Sequence, residues 1–205
     1  GELATFYNTH FSIGADIEVV KMKNYSHNMF YDETGLPWRN PSPSITGMQS
    51  VLGYHLAGAL EALNISVGRG TSNPFQLYGA PFIEVKKIVK ALNKARLPGV
   101  KFYAAKFKPT RSAYAKEVCR GFKMVVTNRR KVDPMRTLVT IARELYHQLP
   151  EKSREKNWQR IANGVGDTEF IAQIAKGERV EKLVQLTQKD VDSFKQERKK
   201  YLMYP

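Results

Sequence analysis

Apolar positions along the chain fall into short periodic blocks separated by tracts rich in proline and glycine. Leu3, Phe6 and Tyr7 have helical spacing, and residues 17–23 then read as a strand. Leu52, Leu56, Ala59, Leu60 and Leu63 share one face of a helix beginning near Thr46. Residues 83–96 form an amphipathic helix with Val85, Ile88, Val89 and Leu92 inward, stopped by Pro98-Gly99. Residues 100–108 and 118–127 read as strands. Asp133-Pro134 supplies an N-cap and a proline at the first helical position, opening a helix that buries Leu138, Ile141, Ala142, Leu145 and Leu149. Helices over 153–163 and 168–176 follow. A terminal helix from Val180 carries Val184, Val191, Phe194 and Tyr201 along one side. Strands in the middle and helices in the C-terminal half predict an α+β (mixed α/β) fold.

Two tracts fall outside this periodicity. Residues 32–44 hold three prolines and a glycine, which preclude regular structure, yet Leu36 and Trp38 give the tract something to pack; an ordered loop is predicted. Residues 64–71 break the helix before them, and Gly68 and Gly70 flank Arg69, so the backbone there needs unusual freedom. Together with Glu61, these tracts concentrate a carboxylate, an arginine, amides and hydroxyls beside aromatics, the mixture from which a concave site for a polar ligand is built. The same glycines are equally consistent with a plain turn and a solvated Arg69.

Composition narrows the function classes. The 205 residues, 42% of them hydrophobic, suit one domain or one domain plus a fragment of another. No apolar run approaches the roughly 20 residues of a membrane span. The single cysteine, Cys119, excludes an internal disulfide and a multi-cysteine zinc site, and its apolar setting predicts a buried side chain. Four scattered histidines without an H-E-x-x-H pattern give no metal site, and no cofactor is expected. Gly68-Arg-Gly70 is only a G-x-G, and neither a phosphate-binding P-loop nor a G-x-S-x-G nucleophile elbow is present. The net charge of +14 draws anionic partners. Nucleic acid stands second among them, because no RNA-binding signature appears and the basic runs are not interleaved with aromatics.

Thr34-Gly-Leu-Pro-Trp38, Pro41-Ser-Pro43, Glu61, Asn64-Ile-Ser66, Gly68-Arg-Gly-Thr71, Pro74-Phe75 and Gly79-Ala-Pro81 resemble the signature of the bacterial NamZ-like exo-β-N-acetylmuramidases. The likeness continues through Leu97-Pro-Gly-Val100, Pro109-Thr110, Tyr114-Ala115, Cys119, Val126-Thr127 and the ending Arg198-Lys-Lys-Tyr-Leu-Met-Tyr204. It implies a Rossmann-like N-terminal domain whose tail is residues 1–30, followed by a C-terminal domain over 31–205. It also implies release of N-acetylmuramic acid from non-reducing ends of peptidoglycan fragments in the cell envelope. The remainder of the N-terminal domain would be a partner, and the family's usual catalytic glutamate, in a Pro-Glu-His-Gly-like stretch, is not in this chain. Where the family reads Tyr-Pro-Gly-Thr, this chain has Tyr54-His-Leu-Ala57, and Ala62-Leu63 replaces Gly-Thr, so the Tyr54-to-Leu63 run should be more continuously helical.

Glycoside cleavage needs a proton for the leaving oxygen and a nucleophile or base on the opposite face. An acetamido sugar can supply its own nucleophile, and muramic acid adds a lactyl carboxylate that an arginine fork binds bidentately. Arg69 is the candidate for that carboxylate. Asn64, Ser66 and Thr71 are candidates for bonding sugar hydroxyls or for shaping the loop, Trp38 for stacking on a sugar face or for the core, and Asn40 and Ser42 for further substrate contacts. Glu61 is the candidate catalytic carboxylate, its alternative being an ion pair with Arg69 that holds the loop. The rival class is a non-catalytic module binding wall polymer or nucleic acid.

Overall fold

The structure, a computed structural model, describes residues 1–165 and 168–205, and the chain divides into two compact units. The first comprises Gly1–Trp38 with Thr187–Pro205, the second Arg39–Leu186.

In the first unit, helix α1 (Glu2–His10) buries Phe6, whose ring meets Phe194 and Tyr201 edge-on at 5.5 and 5.3 Å. Glu2 accepts a hydrogen bond from the Met203 amide at 2.6 Å and pairs with His27 at 2.9 Å. The Met203 amide, followed by His27, holds the Glu2 carboxyl below its ordinary value. The expected strand over 17–23 does not form: Ile17, Val20 and Met22 are exposed, and no chain among the described residues lies beside them to complete a ladder. Strand propensity predicts only half of a strand, since the other half is a partner.

The second unit is built on a three-stranded antiparallel sheet of order β1-β3-β2, with β1 Leu77–Ala80, β2 Val100–Phe107 and β3 Cys119–Val126. The two longer strands follow the expected ranges. β1 had no sequence signal, because its four residues are all buried and show no alternation. Helix α2 (Met48–Ala57) precedes the sheet, and the helical run breaks at Ala57 (φ −148°) before resuming as a 3-10 turn over Gly58–Ala62. The continuous helix expected from Tyr54 to Leu63 is thus interrupted.

Helix α3 (Val85–Lys94) packs Ile88 and Leu92, both fully buried, on β2 and β3. Helix α4 (Pro134–Tyr146) starts as the sequence requires, with the Asp133 carboxylate accepting from the Arg136 amide at 3.0 Å. It buries Val139 where Leu138 was expected and leaves Leu138 half-buried. Helices α5 (Glu151–Val165) and α6 (Thr168–Ala175) pack on one another, tied by the Trp158 indole donating to the Ile171 carbonyl at 2.9 Å. Helix α7 (Val180–Arg198) completes the set. No helix among the described residues is long and apolar enough to cross a membrane.

Cys119 is fully buried at the start of β3, and burial, with Glu117 adding, pushes its thiol up to about 11. A thiol ordinarily near 9 then carries about a hundredfold less thiolate at pH 8, and the thiolate is the nucleophile. Alkylation by iodoacetamide at pH 8 should therefore be slow in the native chain and fast in denaturant. Equal rates in a mass-spectrometric time course would contradict the burial.

Candidate functional site

Arg69 occupies a loop whose geometry the glycines make possible. Gly68 and Gly70 have φ of +78° and +77°, and a Cβ on Gly70 would lie 2.1 Å from the Thr110 hydroxyl. The loop's own side chains lock it. The Thr71 hydroxyl donates to the Gly68 carbonyl at 2.7 Å and accepts from the Asn73 amide at 3.1 Å. Ser66, fully buried, accepts from the Gly68 amide at 3.2 Å through its hydroxyl, while its backbone bridges to Gly79 of β1.

Glu61, from the 3-10 turn after α2, meets the Arg69 guanidinium bidentately: Nε donates to Oε1 at 2.5 Å and Nη2 to Oε2 at 2.8 Å. The hydrogen bonds that Arg69 donates to Glu61 raise the Arg69 pKa against desolvation, which lowers it. This occupies one edge of the guanidinium. A guanidinium has five N–H donors, so Nη1 and the outer hydrogen of Nη2 remain without a protein acceptor among the described residues. The same group lies over the Phe75 ring, its central carbon 4.8 Å from the ring centroid, a cation–π contact that holds it from below.

Phe75 is itself unusual. It is fully buried with φ of +58°, a left-handed conformation that bulky residues rarely adopt. The neighbouring structure holds it there: the Phe75 amide donates to the Val67 carbonyl at 2.8 Å, and its carbonyl lies 2.8 Å from the Tyr78 hydroxyl, which also sits 3.0 Å from the Gly53 carbonyl. Burial, and secondarily the Glu61 charge, push the Tyr78 pKa far above the usual tyrosine range, so the hydroxyl stays a neutral donor. Tyr54 meets Phe75 edge-on at 5.0 Å.

Above this platform lies a cleft of about 340 Å³ lined by Pro41, Ser42, Ile45, Val51, Tyr54, Arg69 and Phe75. Apolar and aromatic walls with one oriented cationic fork suit a ligand carrying a carboxylate on a hydrophobic body. Among the described residues, no group of three or more His, Cys, Asp and Glu side chains is placed to hold a metal ion.

Of the residues singled out from sequence, Arg69 and Ser42 line this cleft and Glu61 stands directly behind Arg69. Ser66 and Thr71 turn their hydroxyls into the loop backbone. Asn64 is exposed and offers its carbonyl to the Tyr114 hydroxyl at 3.4 Å. Asn40 is exposed beside Pro41, and Trp38 is half-buried in the first unit, edge-on to Tyr31 at 5.4 Å. Sequence reasoning did not nominate Tyr54, Ile45, Val51 or Phe75. Tyr54 and Phe75 lie within stretches that carry the family resemblance, and nothing in the sequence announces the Phe75 backbone conformation.

Residues 52–204 match the family described as exo-β-N-acetylmuramidase NamZ, C-terminal, and residues 1–49 match its N-terminal counterpart. A peptidoglycan β-N-acetylmuramidase NamZ from Bacillus subtilis (strain 168) is 38% identical over 204 residues, covering 100% of this chain and 49% of that protein. Two crystal structures of DUF1343 family proteins from Bacteroides fragilis NCTC 9343 share the fold. One has a TM-score of 0.85 at 28% identity, over 100% of this chain and 55% of the other. The second has a TM-score of 0.71 at 23% identity, over 100% and 54%. The chain spans about half the length of the relatives it matches.

Proposed function

The chain belongs to the exo-β-N-acetylmuramidase NamZ family, and we propose that it forms the sugar-gripping part of a peptidoglycan glycoside hydrolase. The whole enzyme releases N-acetylmuramic acid from non-reducing ends, in the cell envelope where that polymer lies. One observation carries this reading: Glu61 fixes one edge of the Arg69 fork and leaves the other edge facing an aromatic-lined cleft. That open edge matches the lactyl carboxylate that distinguishes muramic acid from N-acetylglucosamine. Tyr54, an exposed ring backed by the buried Phe75, supplies apolar surface for the sugar body, and Ser42 a hydroxyl at the rim.

Glu61 acts in this reading as a positioning residue. Both of its oxygens accept from Arg69, so protonating a leaving group would require the ion pair to open. The acid then comes from outside this chain, as the family resemblance implies.

Titration calorimetry with N-acetylmuramic acid and N-acetylglucosamine, followed by assay of a muramyl-terminated disaccharide, tests the division of labour. The expected result is saturable binding that favours the muramyl sugar at least tenfold, with no free N-acetylmuramic acid released by this chain alone. Equal affinity for the two sugars would end the lactyl reading. Release of the free sugar would return the acid role to Glu61.

A further inference from the structure

Nine of the fourteen net positive charges fall between residues 100 and 132, where ten lysines and arginines face the single carboxylate Glu117. This stretch is β2, the 108–118 loop, β3 and the turn after it. Lys101, Lys106, Lys108, Arg111, Lys116 and Arg120 are all exposed, and none has a carboxylate partner among the described residues.

β2 is an edge strand. Lysines on an edge are an ordinary device against edge-to-edge aggregation, which accounts for Lys101 and Lys106. It does not account for Arg120, which lies on the central strand directly opposite Lys106. Like charges in that position repel across the ladder, and neither makes an ion pair among the described residues. Arg120 also lines an open cleft with Lys86, Lys87 and the single carboxylate Glu84, so cations outnumber anions at that end of the sheet. Between Lys101 and Lys106, Tyr103 stands 51% exposed.

The surface is continuous with the Arg69 loop. The Thr110 hydroxyl donates to the Gly70 carbonyl at 3.0 Å, and the Lys123 ammonium to Asn73 Oδ1 at 3.0 Å. From Lys101 to Lys108 the strand runs about 23 Å, long enough for several sugar rings.

We propose that the β2 edge and the 108–118 loop dock the anionic glycan of peptidoglycan. Lys106, Lys108 and Arg120, which the strand alternation and register bring to one face, meet carboxylates of the chain and its stem peptides. This rests on the glycosidase reading above for the identity of the polymer. A nucleic acid of equal charge would call for a run of exposed aromatics on which successive bases stack, and β2 presents one half-exposed ring, Tyr103.

The test uses this chain, wild type and K106Q/R120Q, with three probes: peptide-bearing glycan strands, the muramyl-terminated disaccharide and double-stranded DNA. Wild type should bind glycan strands at least tenfold tighter than the disaccharide at low salt, with the advantage shrinking as salt rises. K106Q/R120Q should lose about tenfold on strands and less than threefold on the disaccharide, while its melting temperature holds or rises because the repulsive pair is gone. K101Q/K108Q, which leaves that pair intact, should show the same selective loss. Undiminished strand binding by both variants overturns the proposal, and so does DNA binding as tight as strand binding with the same losses. Strand binding that the variants lose, in a chain that ignores the disaccharide, would support the docking surface while removing the Arg69 reading.

Discussion

Gly53→Ala is expected to destabilise the second unit by about 3 kcal/mol, at the upper end of what overpacking costs. A Cβ on Gly53 would stand 1.8 Å from the Phe75 carbonyl oxygen and 2.8 Å from its carbonyl carbon, both backbone atoms that cannot rotate away. Relief requires α2 and the Phe75 loop to separate by roughly an ångström, and interiors packed to crystal density resist such shifts. The Tyr78 hydroxyl makes separation harder, because it sits between the Gly53 and Phe75 carbonyls and loses one if they part. Phe75 already holds a left-handed backbone, so it has little conformational slack. Urea unfolding measures the effect as a lowered midpoint. Gly47→Ala is the control: it has extended φ (170°) and nothing within 4 Å of the added carbon, so its cost should stay under about 1 kcal/mol. A Gly53→Ala midpoint matching that control would show that α2 rests on the loop less tightly than the structure has it. Because Phe75 floors the cleft, the same substitution should weaken sugar binding under conditions where the chain remains folded.

The contrast between what the sequence declared and what it concealed follows from where each feature is decided. α3 and α4 are decided locally. Ile88 and Leu92 are one turn apart, Pro98-Gly99 ends the first helix, and Asp133-Pro134 begins the second with a side-chain cap. Residues 17–23 carry a strand's composition, but a ladder is a relation between two segments, and composition cannot supply the second. β1 fails in the opposite way: it has its partner in β3 and no pattern, since both of its faces are covered.

The site divides along the same line. Glycines flanking an arginine eight residues after a glutamate were enough to mark Arg69 and Glu61, because positive φ on both sides of one side chain is a strong local demand. The cleft's apolar walls were hidden. Tyr54 reads as a surface position on α2 and Phe75 as a loop residue, and only packing through Gly53 and Tyr78 turns them toward Arg69. For Ser66 and Thr71 the sequence leaves two readings open, sugar contact and loop shaping; a loop with two left-handed residues needs internal hydrogen bonds, and these hydroxyls supply them.

Arg69→Lys should weaken binding of muramyl ligands about a hundredfold and of N-acetylglucosamine ligands by threefold or less. Lysine keeps the charge and most of the length but presents an ammonium instead of a planar fork. Arg69 uses one edge for Glu61 and offers the other to the cleft, an arrangement that needs two edges in one plane. An ammonium drawn to Glu61 has no second edge, so a lactyl carboxylate loses its bidentate partner. Loss of that charge-assisted pair accounts for the size of the effect. N-acetylglucosamine lacks the carboxylate and depends on the exposed Tyr54 surface, which the substitution leaves in place. Glu61→Gln separates positioning from charge: the amide keeps one acceptor for the Arg69 fork but frees the guanidinium to turn. Muramyl binding should then fall about tenfold, less than in Arg69→Lys, with the selectivity over N-acetylglucosamine reduced but not erased. Parallel titrations of the two sugars against wild type and both variants decide the matter. Losses of the same size for both sugars in Arg69→Lys would mean that Arg69 holds the loop and not the ligand.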